Sequence, residues 1–228
     1  MNQDGWKIVV WLALFCGGVC PIGAAEGQSR PPARRALFFD DEFVTESHNL
    51  TRCMHQPQKR GAVLRPDRSI SEEWIQIRSA PAWIPAEGRY YMAFLSRRTG
   101  PCDSLVAYSR DGLHWERPQL DRPGIDLTNR VVVENPLPRF NETSNIVFDP
   151  DDMDPARRFK ALVGAEGRLP AAGADGVSFR LLNERVINSS DESQLLYDRA
   201  RRRFVATLKV SNPFGRAVGL ATSEDFAN

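Results

Sequence analysis

The chain has 228 residues, with 30 lysines and arginines against 29 aspartates and glutamates, for a net charge of +1 at pH 7. With both signs scattered along the sequence, there is no basic patch for nucleic acid or another polyanion, so no nucleic-acid partner is expected. Its four cysteines and three histidines fall at no zinc spacing and form no disulfide framework, and no cofactor motif is read.

Residues 1–25 read as an export signal. Lys7 supplies the positive start, "IVVWLALFCGGVC" from Ile8 to Cys20 the apolar core, and Gly23 to Ala25 the small residues before Glu26. The run is shorter than the roughly 18 apolar residues of a membrane span, so a secreted or periplasmic protein without a membrane anchor is expected. Neither Cys16 nor Cys20 follows the small residue of a lipoprotein site. Residues 26–36, with "QSRPPARR", form a polar, proline-bearing linker. What remains is enough for one domain with a sizeable core. It keeps Cys53 and Cys102, for which a bridge and two separate thiols both stand open.

From residue 37 onward helical periodicity is nearly absent, and short apolar runs bounded by Gly, Pro, Asp and Asn predict an all-β fold. Three runs superpose as Arg, any residue, aromatic, any, Ala: "RYYMAFL" at Arg89, "RRFKALV" at Arg157 and "RRFVATL" at Arg202. This alignment matches Tyr91, Phe159 and Phe204. Each run follows another short strand, "SAPAWIP", "SNIVFDP" or "SQLLYDR", across a polar connection, which makes a hairpin. The second strand of each hairpin is apolar on both faces and must be covered on both.

"AYSRDGLHW", Ala107 to Trp115, brings a serine, an aspartate and a histidine within a few residues. The motif returns after the second hairpin as Asp175-Gly176 and after the third as Ser223-Glu224-Asp225, with Phe226 in place of glycine. A catalytic triad is recruited from distant segments and does not recur in partial copies, so a tight turn is expected here. Hairpin-plus-turn units every roughly 45 to 70 residues predict a β-propeller. The sequence holds about three units, and closure needs at least four. An incomplete, truncated array is therefore expected, self-associating through the open face of its last blade.

"LFFDDEFV" (Leu37–Val44), "LTRCMHQPQK", "VLRPDR", "YSRDGLHWERP", "VFDPDDMDPARRFKAL" and "RAVGLATSEDF" together resemble the exported five-bladed propeller proteins related to glycoside hydrolase families 32, 43 and 130. The resemblance spans residues 37–228 and implies a carbohydrate partner. It also implies hydrolysis of a glycosidic bond by carboxylates at the innermost strands, one as acid and one as nucleophile or base. Carried onto this sequence, that directs attention to acidic residues just before each hairpin: Glu73 beside Glu72, Glu142, and Asp191 with Glu192. A turn-capping or solvated role is the alternative for each. Asp67, Trp74, Arg52 and His55 are the corresponding candidates for substrate binding. The Asn-Asp-Pro-Asn-Gly run of family 32 is absent. Where relatives carry Arg-Asp-Pro or Glu-Asp-Pro, this chain reads Glu142-Thr143-Ser144. The acidic loop Asp149, Asp151, Asp152, Asp154 lacks the glycine and spacing of a calcium loop and reads as a solvated hairpin connection. Other functional readings are a non-catalytic propeller that binds glycan or protein, an inactive remnant, and a sialidase-like enzyme for which no arginine triad is identified.

Overall fold

The computed structural model describes residues 7–10, 41, 44–137 and 142–228. The chain divides into two compact units, Met1–Leu12 with Gly61–Asn228, and Ala13–Arg60. In the smaller unit residues 44–60 carry no helix or strand, and the Val44 amide donates to the Asp41 carbonyl at 3.0 Å. The rest of the Leu37–Val44 stretch lies outside the described residues.

The larger unit is all-β. Its strands are β1 (Lys7–Val10), β2 (Trp74–Gln76), β3 (Ala82–Ile84), β4 (Arg89–Arg97), β5 (Cys102–Ser109), β6 (Val132–Glu134), β7 (Thr143–Phe148), β8 (Phe159–Val163), β9 (Glu166–Gly173), β10 (Ser178–Leu181), β11 (Ile187–Ser190), β12 (Ser193–Asp198), β13 (Arg203–Asn212) and β14 (Gly215–Ser223). They form three sheets. In the first, β2 and β3 take successive stretches of one edge of β4, and β5 takes the other. The second runs β7-β8-β9-β10-β6, with β11 also on β9, and the third runs β12-β13-β14-β1. Each expected hairpin is present: β3–β4, β7–β8 and β12–β13.

The sheets stack face to face. Tyr91, Ala93 and Val106 of the first share a core with Ile146, Phe159, Ala161 and Val163 of the second. Leu162 and Ile187, on the other side of the second sheet, meet Leu195, Phe204, Ala206 and Leu208 of the third. The remaining face of the first sheet, with Met92, Phe94 and Leu105, is covered by Leu64, Trp115 and Leu127. The first-strand edges of neighbouring sheets touch: the Ile146 amide donates at 2.8 Å to Oγ of Ser79, in the connection between β2 and β3, and Asn145 Nδ2 donates to Ser193 Oγ at 3.0 Å. Sheets that are antiparallel but for the parallel β6–β10 pair, stacked with their first strands adjacent, are the blades of a propeller, here an open array.

The repeat is corrected by one residue in the first sheet. Phe159 and Phe204 do match, lying opposite Gly173 and Ser223 and facing the preceding sheet. The residue opposite Ser109 is Tyr90, while Tyr91 faces forward and packs on Phe159 with ring centroids 5.0 Å apart. A one-residue shift moves a side chain to the other face of a strand. Adjacent tyrosines at 90 and 91 hide that shift from a motif keyed on an aromatic residue.

The turns repeat in atomic detail. Asp111 Oδ1 accepts from the amides of Leu113 and His114, Asp175 Oδ1 from Val177 and Ser178, and Asp225 Oδ1 from Ala227 and Asn228. Ser109 Oγ accepts from the Gly112 amide and donates to Asp111 Oδ1; Ser223 does the same with Phe226 and Asp225. His114 Nδ1 lies 2.6 Å from Asp111 Oδ2, so aspartate and histidine are occupied within the turn. "SRDG" is architecture.

Gly176 sits at φ +74 beneath two rings, and its carbonyl accepts from Tyr91 Oη at 2.6 Å. An added Cβ would lie 2.6 Å from the Tyr91 ring and 2.8 Å from that of Phe159, whereas at Gly112 (φ +75) the nearest atom is 4.0 Å away. Gly112→Ala should therefore cost about 1–2 kcal/mol from left-handed backbone alone. Gly176→Ala adds overpacking of about 1–3 kcal/mol. Equal losses for the two variants in urea denaturation would contradict this packing.

Candidate functional site

The starts of β7 and β12 bring the acidic candidates to one end of the sheets. Glu142 and Glu192 immediately precede these strands in matching backbone roles: the Glu142 carbonyl accepts from Gly164 at 2.7 Å and that of Glu192 from Lys209 at 3.2 Å. Asp191 sits in the left-handed conformation (φ 51), with its amide donating to the Ala165 carbonyl at 2.8 Å.

Three cations, one from each sheet, converge on Asp191. Lys209 Nζ of β13 donates to Oδ2 at 2.7 Å. Arg78, from the connection between β2 and β3, donates through Nη2 to Oδ1 at 3.4 Å and through Nη1 to the Asp191 carbonyl at 3.1 Å. Arg168 of β9 donates through Nη2 to the same carbonyl. The Lys209 hydrogen bond, then the charges of Lys209 and Arg78, hold the Asp191 carboxyl below the ordinary aspartate range against slight burial. It is thus poised as base, nucleophile or charge stabiliser rather than as proton donor. An open groove of ≈ 520 Å³ borders it, lined by Asp191, Glu192, Gln194, Thr207, Lys209 and Arg216. Sequence reading missed Arg78, Arg168 and Lys209. The available signal was a lone arginine inside each of the otherwise uncharged stretches "WIQIRSAPAWI" and "GRLPAAG".

Glu73 is exposed immediately before β2, its amide donating to the Arg97 carbonyl at 2.8 Å, and Trp74 beside it is 39% exposed. Asp67 Oδ1 caps the short 3-10 turn Arg68–Ile70, accepting from the Ser69 amide at 2.9 Å and its hydroxyl at 2.6 Å, which lower its pKa. Arg52 pairs with Asp41, and His55 is exposed; both belong to the Ala13–Arg60 unit.

The acidic loop is ion-paired rather than merely solvated. Asp152 pairs with the buried Lys160, and Asp151 receives both Nε and Nη2 of Arg199 at 2.9 and 2.8 Å. Asp154 caps the turn Pro155–Arg157. Among the described residues no cluster of three or more His, Cys, Asp or Glu side chains could hold a metal ion, and no helix is long and apolar enough to cross a membrane.

Glu72, beside the candidate Glu73, is fully buried. Its oxygens accept from Arg117 Nη1 and Nη2, each at 2.8 Å, from Ser96 Oγ at 2.6 Å and from the Asp67 amide at 2.6 Å. Burial raises its pKa, but these bonds, led by Arg117, outweigh it and leave the carboxyl below the ordinary glutamate range. Its contribution to stability is therefore complete above the unfolded value of about 4.3 and is lost as pH falls through the folded one. Glu72→Gln should cost about 3 kcal/mol at pH 7 by leaving Arg117 unpaired. The gap to wild type should narrow in denaturation curves taken below pH ~4; a constant gap down to pH ~3 would refute the assignment.

No protein-family model and no curated protein matches the sequence. Among solved structures, the chain is similar to a fructofuranosidase from Schwanniomyces occidentalis complexed with fructose, with TM-score 0.46, 15% identity, and 68% of this chain and 32% of that one covered. It is also similar to a glycosyl hydrolase from Bacteroides ovatus (TM-score 0.38, 14% identity, 66% and 46% covered). A third is a structure from the GH130 family, described as mannoside phosphorylases that include hydrolases of beta-1,2 mannosidic linkages in Candida mannan (TM-score 0.37, 13% identity, 68% and 48% covered). The chain spans about a third to a half of the length of these proteins.

Proposed function

We propose that the chain is an exported, propeller-type glycosidase that cleaves glycosidic bonds of a carbohydrate by carboxylate chemistry. The observation that carries this reading is the convergence on Asp191 of Lys209, Arg78 and Arg168, one cation from each sheet, at the end where Glu142 and Glu192 begin their strands. In this reading Asp191, held ionised, attacks the anomeric carbon, activates water or stabilises the developing oxocarbenium ion. Glu142 and Glu192, with Glu73, supply the carboxylic acid that protonates the leaving oxygen. The half-exposed Trp74 offers an apolar face for a sugar ring, and Arg52 and His55 remain candidates from the resemblance alone. Residues 1–25 serve as the export leader, which the composition of Lys7–Ala25 supports.

The test is hydrolysis across a glycan panel. Asp191→Asn, and Glu142→Gln with Glu192→Gln together, should each lower kcat at least ~100-fold on any glycan the wild type cleaves. Unchanged hydrolysis in the double variant would remove Glu142 and Glu192 from the chemistry.

A second reading, binding or self-association through the last sheet, is favoured by one feature. Leu196 and Val218, on the face of the third sheet turned away from the second, are 60% and 67% exposed. Sedimentation velocity should show concentration-dependent association that Leu196→Lys with Val218→Lys abolishes; a monomer at every concentration would dismiss it.

A further inference from the structure

Arg168 lies on β9 with no exposed surface, and among the described residues it is the largest fully buried side chain. Its Nε donates to Ser193 Oγ at 2.9 Å, its Nη1 to the carbonyls of Gly164 and of Gly167 (the latter at 3.1 Å), and its Nη2 to the Asp191 carbonyl. All four acceptors are neutral. Ser193 Oγ also receives Asn145 Nδ2 at 3.0 Å, so one guanidinium ties β9 to the starts of β12 and β7.

Burying a cation without a carboxylate in contact is costly, and a packed apolar side chain of similar volume is often no less stable. Burial does depress the Arg168 pKa, opposed by the charges of Glu142 and then Asp191 at longer range. Both are candidate carboxylates. Meanwhile Asp191 is held in a left-handed conformation by the hydrogen bond its amide donates to the Ala165 carbonyl and by two guanidinium groups donating to its own carbonyl. From that position its carboxylate reaches Lys209 and Arg78.

We propose that Arg168 is a positioning residue: it fixes the Asp191 main chain so that the carboxylate stays docked on Lys209 and Arg78. Its effect on catalysis rests on the glycosidase reading above; its effect on Asp191 does not. The groups facing the Asp191 carboxylate are Lys209 and Arg78, with Glu192 adjacent, Arg216 along the groove, and Glu142 acting on Arg168.

The test follows the Asp191 carboxyl by carbon-detected NMR titration of the full chain. In Arg168→Met the midpoint should rise toward the ordinary aspartate range as the carboxylate leaves Lys209, and in Arg168→Lys, which keeps the charge but not the fork, it should rise less. A folded Arg168→Met with the wild-type midpoint would make Arg168 core filling and overturn the proposal. If Arg168→Met does not fold, Ser193→Ala removes one anchor alone; it should also raise the midpoint, and no change overturns the proposal. On a cleaved glycan Arg168→Lys should lower kcat about tenfold with KM held, which a uniform packing defect would not produce. A midpoint that moves in a chain cleaving no glycan would retire the glycosidase reading and leave the positioning role standing.

Discussion

The middle sheet has no solvent face at its centre. Phe159, Ala161 and Val163 project toward the first sheet, while Leu162 and Ile187 project toward the third. Face-to-face stacking of this kind needs strands that are apolar on both sides and small enough to let the neighbouring backbones approach. Ala161, Ala171, Ala206 and Ala221, all without exposed surface, meet the second demand. The tight roof over Gly176 is the same requirement at the rim, where rings from two sheets close on one backbone. Everything else, including the placement of the charged residues, follows from three sheets held at this spacing.

Face-to-face packing also explains how the candidate site is assembled. Side chains from three sheets can meet only where the first strands begin, because farther along the faces are filled by hydrocarbon. Arg78, Arg168 and Lys209 are far apart in sequence yet converge on one aspartate there. Lys160 near the other end of the second sheet shows a different solution to buried charge: it sits among aspartates of a connection and is neutralised in place. Arg168 hydrogen-bonds main-chain and hydroxyl oxygens instead, and this difference in partners separates a cation that closes a loop from one that orders a carboxylate.

Much of the fold was legible in the sequence because its signals are local. Each Asp turn is a few residues long, with an aspartate that accepts amides two and three positions ahead, so Asp111, Asp175 and Asp225 announce themselves. Hairpins are similarly short-range. The phase of the first sheet was not legible, since Tyr90 and Tyr91 satisfy the same motif and only pairing with Ser109 distinguishes them. Nor was the division of labour between Glu72 and Glu73: alternation puts them on opposite faces, but which face holds Arg117 depends on a segment far along the chain. The candidate carboxylates were found by their place before a strand. That Arg78, Arg168 and Lys209 meet at Asp191 was not legible for the same reason as Arg117, since they are neighbours in space alone.

The position beside β5, β9 and β14, on the side away from the first strands, carries one further consequence. Glu116 bridges Tyr108, Arg180 lies opposite Ala172, and Lys7 lies opposite Thr222, three equivalent places one residue before the turn. In the first two sheets the flanking segment comes from just beyond the turn. In the third it comes from the far N-terminus, within the stretch read as a leader. Were that stretch removed, Gly219 to Thr222 would lose their hydrogen-bonding partners and a shielded margin would become an adhesive one.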